Sequence, residues 1–315
     1  LKIMNLKDLK VVFAGCARNC SNFLPKVLEN IEFYSSFFSE SYMVIVENGS
    51  TDKTKEILKN NKNNKNFFLF EDDLNKLPYR GQRLEKARNL IIETIKKNKN
   101  LFSCDLFIML DLDDIGTYRI EEKNILDSIK FLFSKEEIGA VFANQLGTYF
   151  DMWTLRDQKY CKNDFWVEVL QFLMNNKNSK DKISKSNIEE VKKNIIDKKT
   201  YSFEKNHPPI KVESAFGGFG IYKMKYVLQN NRKYEGTQIV DLISKDQKKL
   251  KVKYQKCEHV NFNQGFIDQN LELYILPNLI NRDYEKNIFP ADCKIPIQFE
   301  KFSKRNFINF YKKFI

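Results

Sequence analysis

The first half of the chain repeats one rhythm: a short apolar run, a polar turn, then apolar residues at helical spacing. The runs are KVVFAG (Lys10 to Gly15), YMVIVEN (Tyr42 to Asn48), NFFLFED (Asn66 to Asp72), DLFIML (Asp105 to Leu110) and GAVFAN (Gly139 to Asn144). Between them Leu24, Val27, Leu28 and Ile31, and later Leu84, Ala87, Ile91 and Ile95, recur as one face of a helix does. Pro25 fits the first turn of the earlier helix. STDKTKEIL opens another, with Ser50 or Thr51 as cap and Asp52 near the positive end of its dipole. This order predicts an α/β fold with a mostly parallel central sheet covered by helices. In such sheets ligands bind beyond the carboxyl ends of the strands. The residues expected there are Cys16 to Asn19, Glu47 to Asp52, Asp72, Asp73, and Asp111 to Asp114.

The fourth run ends in Asp111, Leu112, Asp113 and Asp114. Carboxylates that close repel each other, and burying them is costly unless a positive charge sits between them. Mg²⁺ and Mn²⁺ are held by one or two carboxylates together with substrate phosphates and water. Asp-x-Asp at a strand end therefore suits a divalent cation, although a helix cap and a solvated acidic turn would look the same in sequence. Glu47, closing the second strand, is placed to accept from a nucleobase or ribose. Gly49 permits the turn that follows. In YRGQRLEKARN, Arg80, Arg83 and Arg88 are candidates for diphosphate oxygens. Arg88 falls near the core side of its helix, where it needs an acidic partner, whereas Arg80 suits the surface.

The second half is less regular. Asn175 to Lys199 is polar and rich in lysine, an expected surface excursion. ESAFGGFGIYK (Glu213 to Lys223) is apolar around the paired glycines Gly217 and Gly218, and KVKYQKCEHVNFN (Lys251 to Asn263) reads as a strand entering a polar turn. The last fifteen residues, KFSKRNFINFYKKFI, alternate aromatic and basic side chains. They read as a docked terminal helix, with a peripheral membrane contact as the alternative.

Lys and Arg total 53 against 41 Asp and Glu, a net charge of +12. That balance favours anionic partners. Polar runs such as NNKNNKN reduce its weight as a nucleic-acid signal, and none is expected as a partner. The six cysteines form no CxxC pair, and with two histidines they match no zinc site. Nothing resembles a secretory signal, and no apolar run is long enough to span a bilayer, so a reducing, cytoplasmic setting is expected.

Taken together, AGCARN, VIVENGSTDKTKEIL, RLEKARN and FIMLDLDD resemble the nucleotide-sugar half of GT-A glycosyltransferases. YFDMWTLR, ESAFGGFGIYK and CEHVNFN are similar to a narrower group, the capsule-type (cryptococcal-like) mannosyltransferases of fungi and their relatives in bacteria and large DNA viruses. The resemblance runs from about Lys10 to Gly265. It implies a GT-A, Rossmann-like sheet with a smaller antiparallel region on the acceptor side. One domain would span residues 1–290, with nucleotide-sugar contacts in 10–145 and the acceptor side in 146–290, followed by the tail 291–315.

It also implies roles. Ala14, Cys16 and Arg18 would line the nucleotide pocket, and Glu47 would meet the base. Arg83 and Arg88 would lie near the diphosphate. Asp111, Leu112 and Asp113 would form the strand-end motif, with Asp111 toward the ribose and metal and Asp113 on the metal. His259 would complete the metal shell, which favours Mn²⁺ over Mg²⁺. The base on the acceptor hydroxyl would be Asp151, Glu213 or Glu258. Trp153, Arg156, Gly217 and Gly218 would meet the sugar or acceptor. The implied reaction is hexose transfer from GDP-mannose or a UDP-sugar to a glycan or glycoconjugate hydroxyl. A sugar nucleotidyltransferase and a non-catalytic basic module that binds nucleic acid or membrane are the alternatives.

Overall fold

A computed structural model describes residues 5–61, 65–77, 79–176, 190–196, 198, 201–243, 247 and 249–283. The C-terminal tail, Cys293 and most of the 175–199 excursion lie outside the described residues. The strands are β1 (Lys10–Ala17), β2 (Glu40–Glu47), β3 (Phe67–Glu71), β4 (Leu106–Leu110), β5 (Ile138–Leu146), β6 (Ile210–Val212), β7 (Phe219–Lys223), β8 (Thr237–Ile243), β9 (Lys249–Gln255) and β10 (Glu272–Asp283). The helices used below are α1 (Leu24–Ser35), α2 (Thr54–Lys59), α3 (Arg80–Lys97), α4 (Lys99–Phe102), α5 (Glu122–Ser134), α6 (Phe165–Asn176), α7 (Met224–Gln229) and α8 (Glu258–Ile267).

Eight strands form one sheet in the order β3-β2-β1-β4-β7-β5-β10-β6. β3, β2, β1 and β4 are mutually parallel, and β5 and β10 run the same way. β7, between β4 and β5, and β6, on the far edge, run opposite. The fold is thus mixed α/β with a mostly parallel sheet, plus a separate antiparallel hairpin of β8 and β9. The central strands carry apolar residues on both faces. Val12, Val44, Phe107 and Phe142 pack under α3 and the second-half helices. Phe13, Ile45, Ile108 and Val141 pack under α1 and α5. Removing such side chains from water is what holds helices to both faces of a parallel sheet.

Three local differences from the sequence reading matter for the site. β1 runs on to Ala17, so Ala14 pairs in mid-strand with Val44 and Met109 and is core, not the pocket lining that the resemblance implies. The ladder to β2 continues to Glu47, and that pairing carries the strand past Gly15. α2 starts at Thr54, later than its Ser50 or Thr51 cap predicts, because Asp52 accepts from the Thr54 and Ser21 amides at 3.0 Å each and holds the preceding turn open. The polar turn expected after β9 is the helix α8, which begins at Glu258 and buries Phe262 and Phe266. β10, the longest strand, had no counterpart in the sequence reading; Pro277 and its register shifts break the alternation that would have marked it. No helix among the described residues is long and apolar enough to cross a membrane.

Candidate functional site

The carboxyl ends of β1, β2 and β4 open into a cleft of about 240 Å³ capped by the first turns of α3. Its walls are Cys16, Ala17, Arg18 and Cys20 after β1, Asn48 after β2, Asp111, Leu112 and Asp113 after β4, and Arg80, Arg83, Leu84 and Arg88 from α3. Arg80, Arg83, Leu84 and Arg88 meet the strand ends together because spacings of three and four residues share a helix face. Cys16, Arg18, Arg83, Arg88, Asp111, Leu112 and Asp113 are therefore brought together. Arg80, a candidate for the diphosphate, lines the same space, as do Ala17 and Asn48 from the expected strand-end segments; Cys20 and Leu84 join them with no signal of their own in the sequence.

The charges are sorted within the cleft. Asp111 Oδ1 lies 3.5 Å from Arg88 Nη2, and Nη1 of the same guanidinium pairs with Glu258. Arg88 and Glu258 are 5 and 2% exposed, so neither charge could stand there without the other. Burial raises the Asp111 carboxyl despite the opposing pull of Arg88 and Arg80. Asp113 is exposed, and desolvation on its inner side with the neighbouring Asp111 and Asp114 charges pushes its carboxyl above the usual range. Its Oδ1 also accepts from the Ile115 amide at 3.3 Å, so the strand-end motif is in part a cap.

Opposite lie three arginines. Arg18 Nη2 donates to Asn75 at 2.5 Å, and Arg83 Nη1 donates to the Leu77 carbonyl at 2.7 Å. Burial and the like charges of Arg18 and Arg80 hold the Arg83 guanidinium below its usual range. Among the described residues, no carboxylate is in ion-pair contact with any of the three. Asn48 is 4% exposed, and its Oδ1 is buried without a partner. Buried acceptors are almost always satisfied, so an unpaired one in a cleft wall fits a ligand donor. Glu47 is engaged elsewhere: Oε1 accepts from Ser50 at 2.6 Å and Oε2 from Gly49 at 3.2 Å, closing the turn after β2.

His259 stands apart from the aspartates. It lies in the first turn of α8, stacked on Phe216 at 3.9 Å between ring centres and edge-on to Tyr234. Neither ring nitrogen has a partner, and burial together with the Arg88 charge drives its pKa far down. No group of three or more His, Cys, Asp or Glu able to hold a metal occurs among the described residues. The expected three-ligand set is thus not assembled, because Arg88 and the aromatic stack surround the imidazole. With it goes the reason for preferring Mn²⁺. Two clustered carboxylates still fit a hard cation whose remaining ligands come from phosphate and water.

Of the three carboxylates expected as base, Glu258 is the counter-ion of Arg88. Glu213, in the bend that follows β6, accepts from Gln158 at 2.5 Å. Asp151 remains. Its Oδ1 accepts from the Thr154 hydroxyl at 2.8 Å and its Oδ2 from the Gly217 amide at 3.0 Å. Burial outweighs both bonds and lifts its carboxyl to about 6, with the Asp111 charge adding to the rise. The Gly217-Gly218 turn joins the two aspartates, since the Asp111 amide donates to the Gly218 carbonyl at 3.0 Å. Both glycines have positive φ, +64° and +79°, and a Cβ at Gly218 would meet Ile115 at 2.5 Å. That turn is therefore glycine by necessity. Arg156 is a structural brace: its guanidinium pairs with Asp164 at 2.9 Å and donates to the Trp153 and Leu155 carbonyls. Trp153 packs on the core, leaving a buried indole N–H without a partner.

No protein-family model matches the chain, and no curated protein matches it. Among solved structures it is similar to the mannosyltransferase PcManGT from Pyrobaculum calidifontis, seen with GDP-Man and Mn²⁺, at 16% identity and TM-score 0.33 over 44% of this chain and 36% of that one. It is similar to residues 1–349 of TarS from S. aureus at 11% identity and TM-score 0.43, over 86 and 59% of the two chains. It is also similar to glucosyl-3-phosphoglycerate synthase from Mycobacterium tuberculosis, seen with UDP, at 12% identity and TM-score 0.38, over 87 and 69%. The chain thus spans between about a third and three-fifths of the first two of these.

Proposed function

We propose that the chain is a metal-dependent glycosyltransferase of the GT-A type, moving a hexose from a nucleoside diphosphate sugar to a hydroxyl of a glycan or glycoconjugate. One observation carries this reading: a single cleft gathers two neighbouring aspartates, Asp111 and Asp113, opposite three arginines that have no carboxylate partner among the described residues. A divalent ion on a diphosphate suits both sets. Neither the acidic pair nor the basic trio would be well placed beside neutral ligands, given the mutual repulsion within each set.

Asp111 and Asp113 would hold the cation, with Arg88 and Glu258 fixing Asp111 from beneath. Bound there, the cation would neutralise charge developing on the departing diphosphate. Arg18, Arg80 and Arg83 would take the diphosphate oxygens, adding fixed positive charge on the other side. Asn48, rather than Glu47, would accept from the nucleoside. Asp151 Oδ1 or Oδ2 would take the proton of the acceptor hydroxyl, which corresponds to an inverting outcome. GDP-mannose and UDP-sugars are the donors we favour, the former through the resemblance to capsule-type mannosyltransferases. A nucleotidyltransferase fits less well, since the β1 end carries Cys16-Ala17-Arg18-Asn19 where a glycine-rich phosphate loop would be needed.

The direct test is calorimetric titration with GDP and UDP, with Mn²⁺ or Mg²⁺ and with a chelator. Binding that requires the cation is expected. No heat with any nucleotide in any metal overturns the proposal, and pyrophosphate release from a nucleoside triphosphate would replace it with nucleotidyl transfer.

A further inference from the structure

The β8–β9 hairpin stands outside the main sheet, and its two faces differ. One face packs Leu242 and Tyr254, with Val240 and Val252, against Leu170 and Val167 of α6. The other faces water. Side chains alternate along a strand, so Ile239, Asp241 and Ile243 share this outer face on β8, and Lys249, Lys251 and Lys253 share it on β9. The register sets Ile239 opposite Lys253, Asp241 opposite Lys251 and Ile243 opposite Lys249. All six are exposed. Ile239 is 62% and Ile243 45% exposed, and with Phe102 they are the large apolar side chains that the described residues leave in water. Single exposed apolar residues need no explanation. Two on one strand face, each opposite a lysine of the same row, form a patterned surface.

We infer that this face docks onto an anionic lipid surface. Three lysines against one aspartate leave it with a net +2 (3 − 1). The lysines can lay their stems along the isoleucines and keep their ammonium groups at headgroup level. The isoleucines would enter the headgroup boundary, as the apolar face of an interfacial element does. The basic C-terminal segment of the chain carries the same sign of charge and does not complement the face. The root of the hairpin is tied to the cleft. The Gly81 amide donates to Gln255 at 3.1 Å, and the Gly236 amide donates to Glu85 at 2.8 Å. These bonds grip the turns of α3 that carry Arg80 and Arg83, so docking holds the cleft beside the lipid. The inference stands on the hairpin alone and is independent of the glycosyltransferase reading.

The test is sedimentation of the full chain with phosphatidylcholine vesicles, with and without phosphatidylserine. Binding to the anionic vesicles alone is expected, falling as salt screens the lysines. The triple substitution Lys249→Gln, Lys251→Gln, Lys253→Gln lowers partitioning on the order of 100-fold at low salt. The double substitution Ile239→Ser, Ile243→Ser lowers it about tenfold. Both variants change only exposed side chains, and an unchanged melting temperature checks that the hairpin is intact. Equal binding to both vesicle types, or no binding, overturns the inference. So does full binding by the triple variant, which would assign the contact to the intact basic tail. Capture of soluble polyglutamate that is indifferent to the isoleucine changes also overturns it, in favour of an acidic protein partner.

Discussion

Arg88 and Arg83 lie on the same helix, line the same cleft and have opposite surroundings. Arg88 is buried between two acids, Asp111 and Glu258, with its guanidinium 5.3 Å from the centre of the Phe216 ring. Arg83 has a carbonyl and two like charges. Depth explains the contrast. A buried cation must be paired within the fold, whereas a cation at the cleft wall can await a ligand. The comparison separates residues that build the site from residues that would work in it, although both are arginines in one short motif.

Breaking the buried member has the largest effect. Arg88→Ala leaves Glu258 and Asp111 without a counter-charge, and a loss of about 3–5 kcal/mol of stability is expected in denaturant melts. A small loss would mean that the pairing is not holding α8 to α3. Asp113→Ala comes next. It should leave the fold intact and weaken metal-dependent nucleotide binding by about 100-fold or more. An unaffected titration would make Asp113 a cap residue alone. Arg83→Ala should reduce nucleotide affinity about tenfold, the scale of one charge-assisted hydrogen bond, with little change in melting temperature. If Arg83→Ala instead destabilises the fold as Arg88→Ala does, the contrast between the two arginines fails.

The smallest effect concerns pH. With Asp151 at about 6, transfer measured at saturating metal should rise through about pH 6 and level off above it, as the carboxyl releases its proton. Thr154 donates to the charged form, so Thr154→Val removes a bond that lowers the pKa. The midpoint should move upward by up to about one unit. A midpoint that stays put would take Asp151 off the acceptor and leave its neighbours Asp111, Tyr149 and Cys257 to be tested in its place.

Much of the first half was legible because its strands are buried on both faces and its helices on one. Apolar runs then mark the strands, and three-and-four spacing marks the helices, without knowledge of their neighbours. The acidic motif after β4 and the arginines of α3 could be assigned to one strand-end edge on that basis. β10 escaped because proline and register shifts interrupt its pattern, and α8 because polar residues fill its first turn.

Sequence alone determined that acids and arginines would meet at the carboxyl edge of a parallel sheet, since chain direction and helix periodicity are local properties. Only the tertiary structure decided which of them are already paired. It gave Arg88 and Glu258 to each other, turned Glu47 into its own loop and stacked His259 on Phe216. It left Asn48, Arg83 and Asp113 facing the cleft. Pairing depends on distance and burial between segments far apart in the chain, and residue order does not record either.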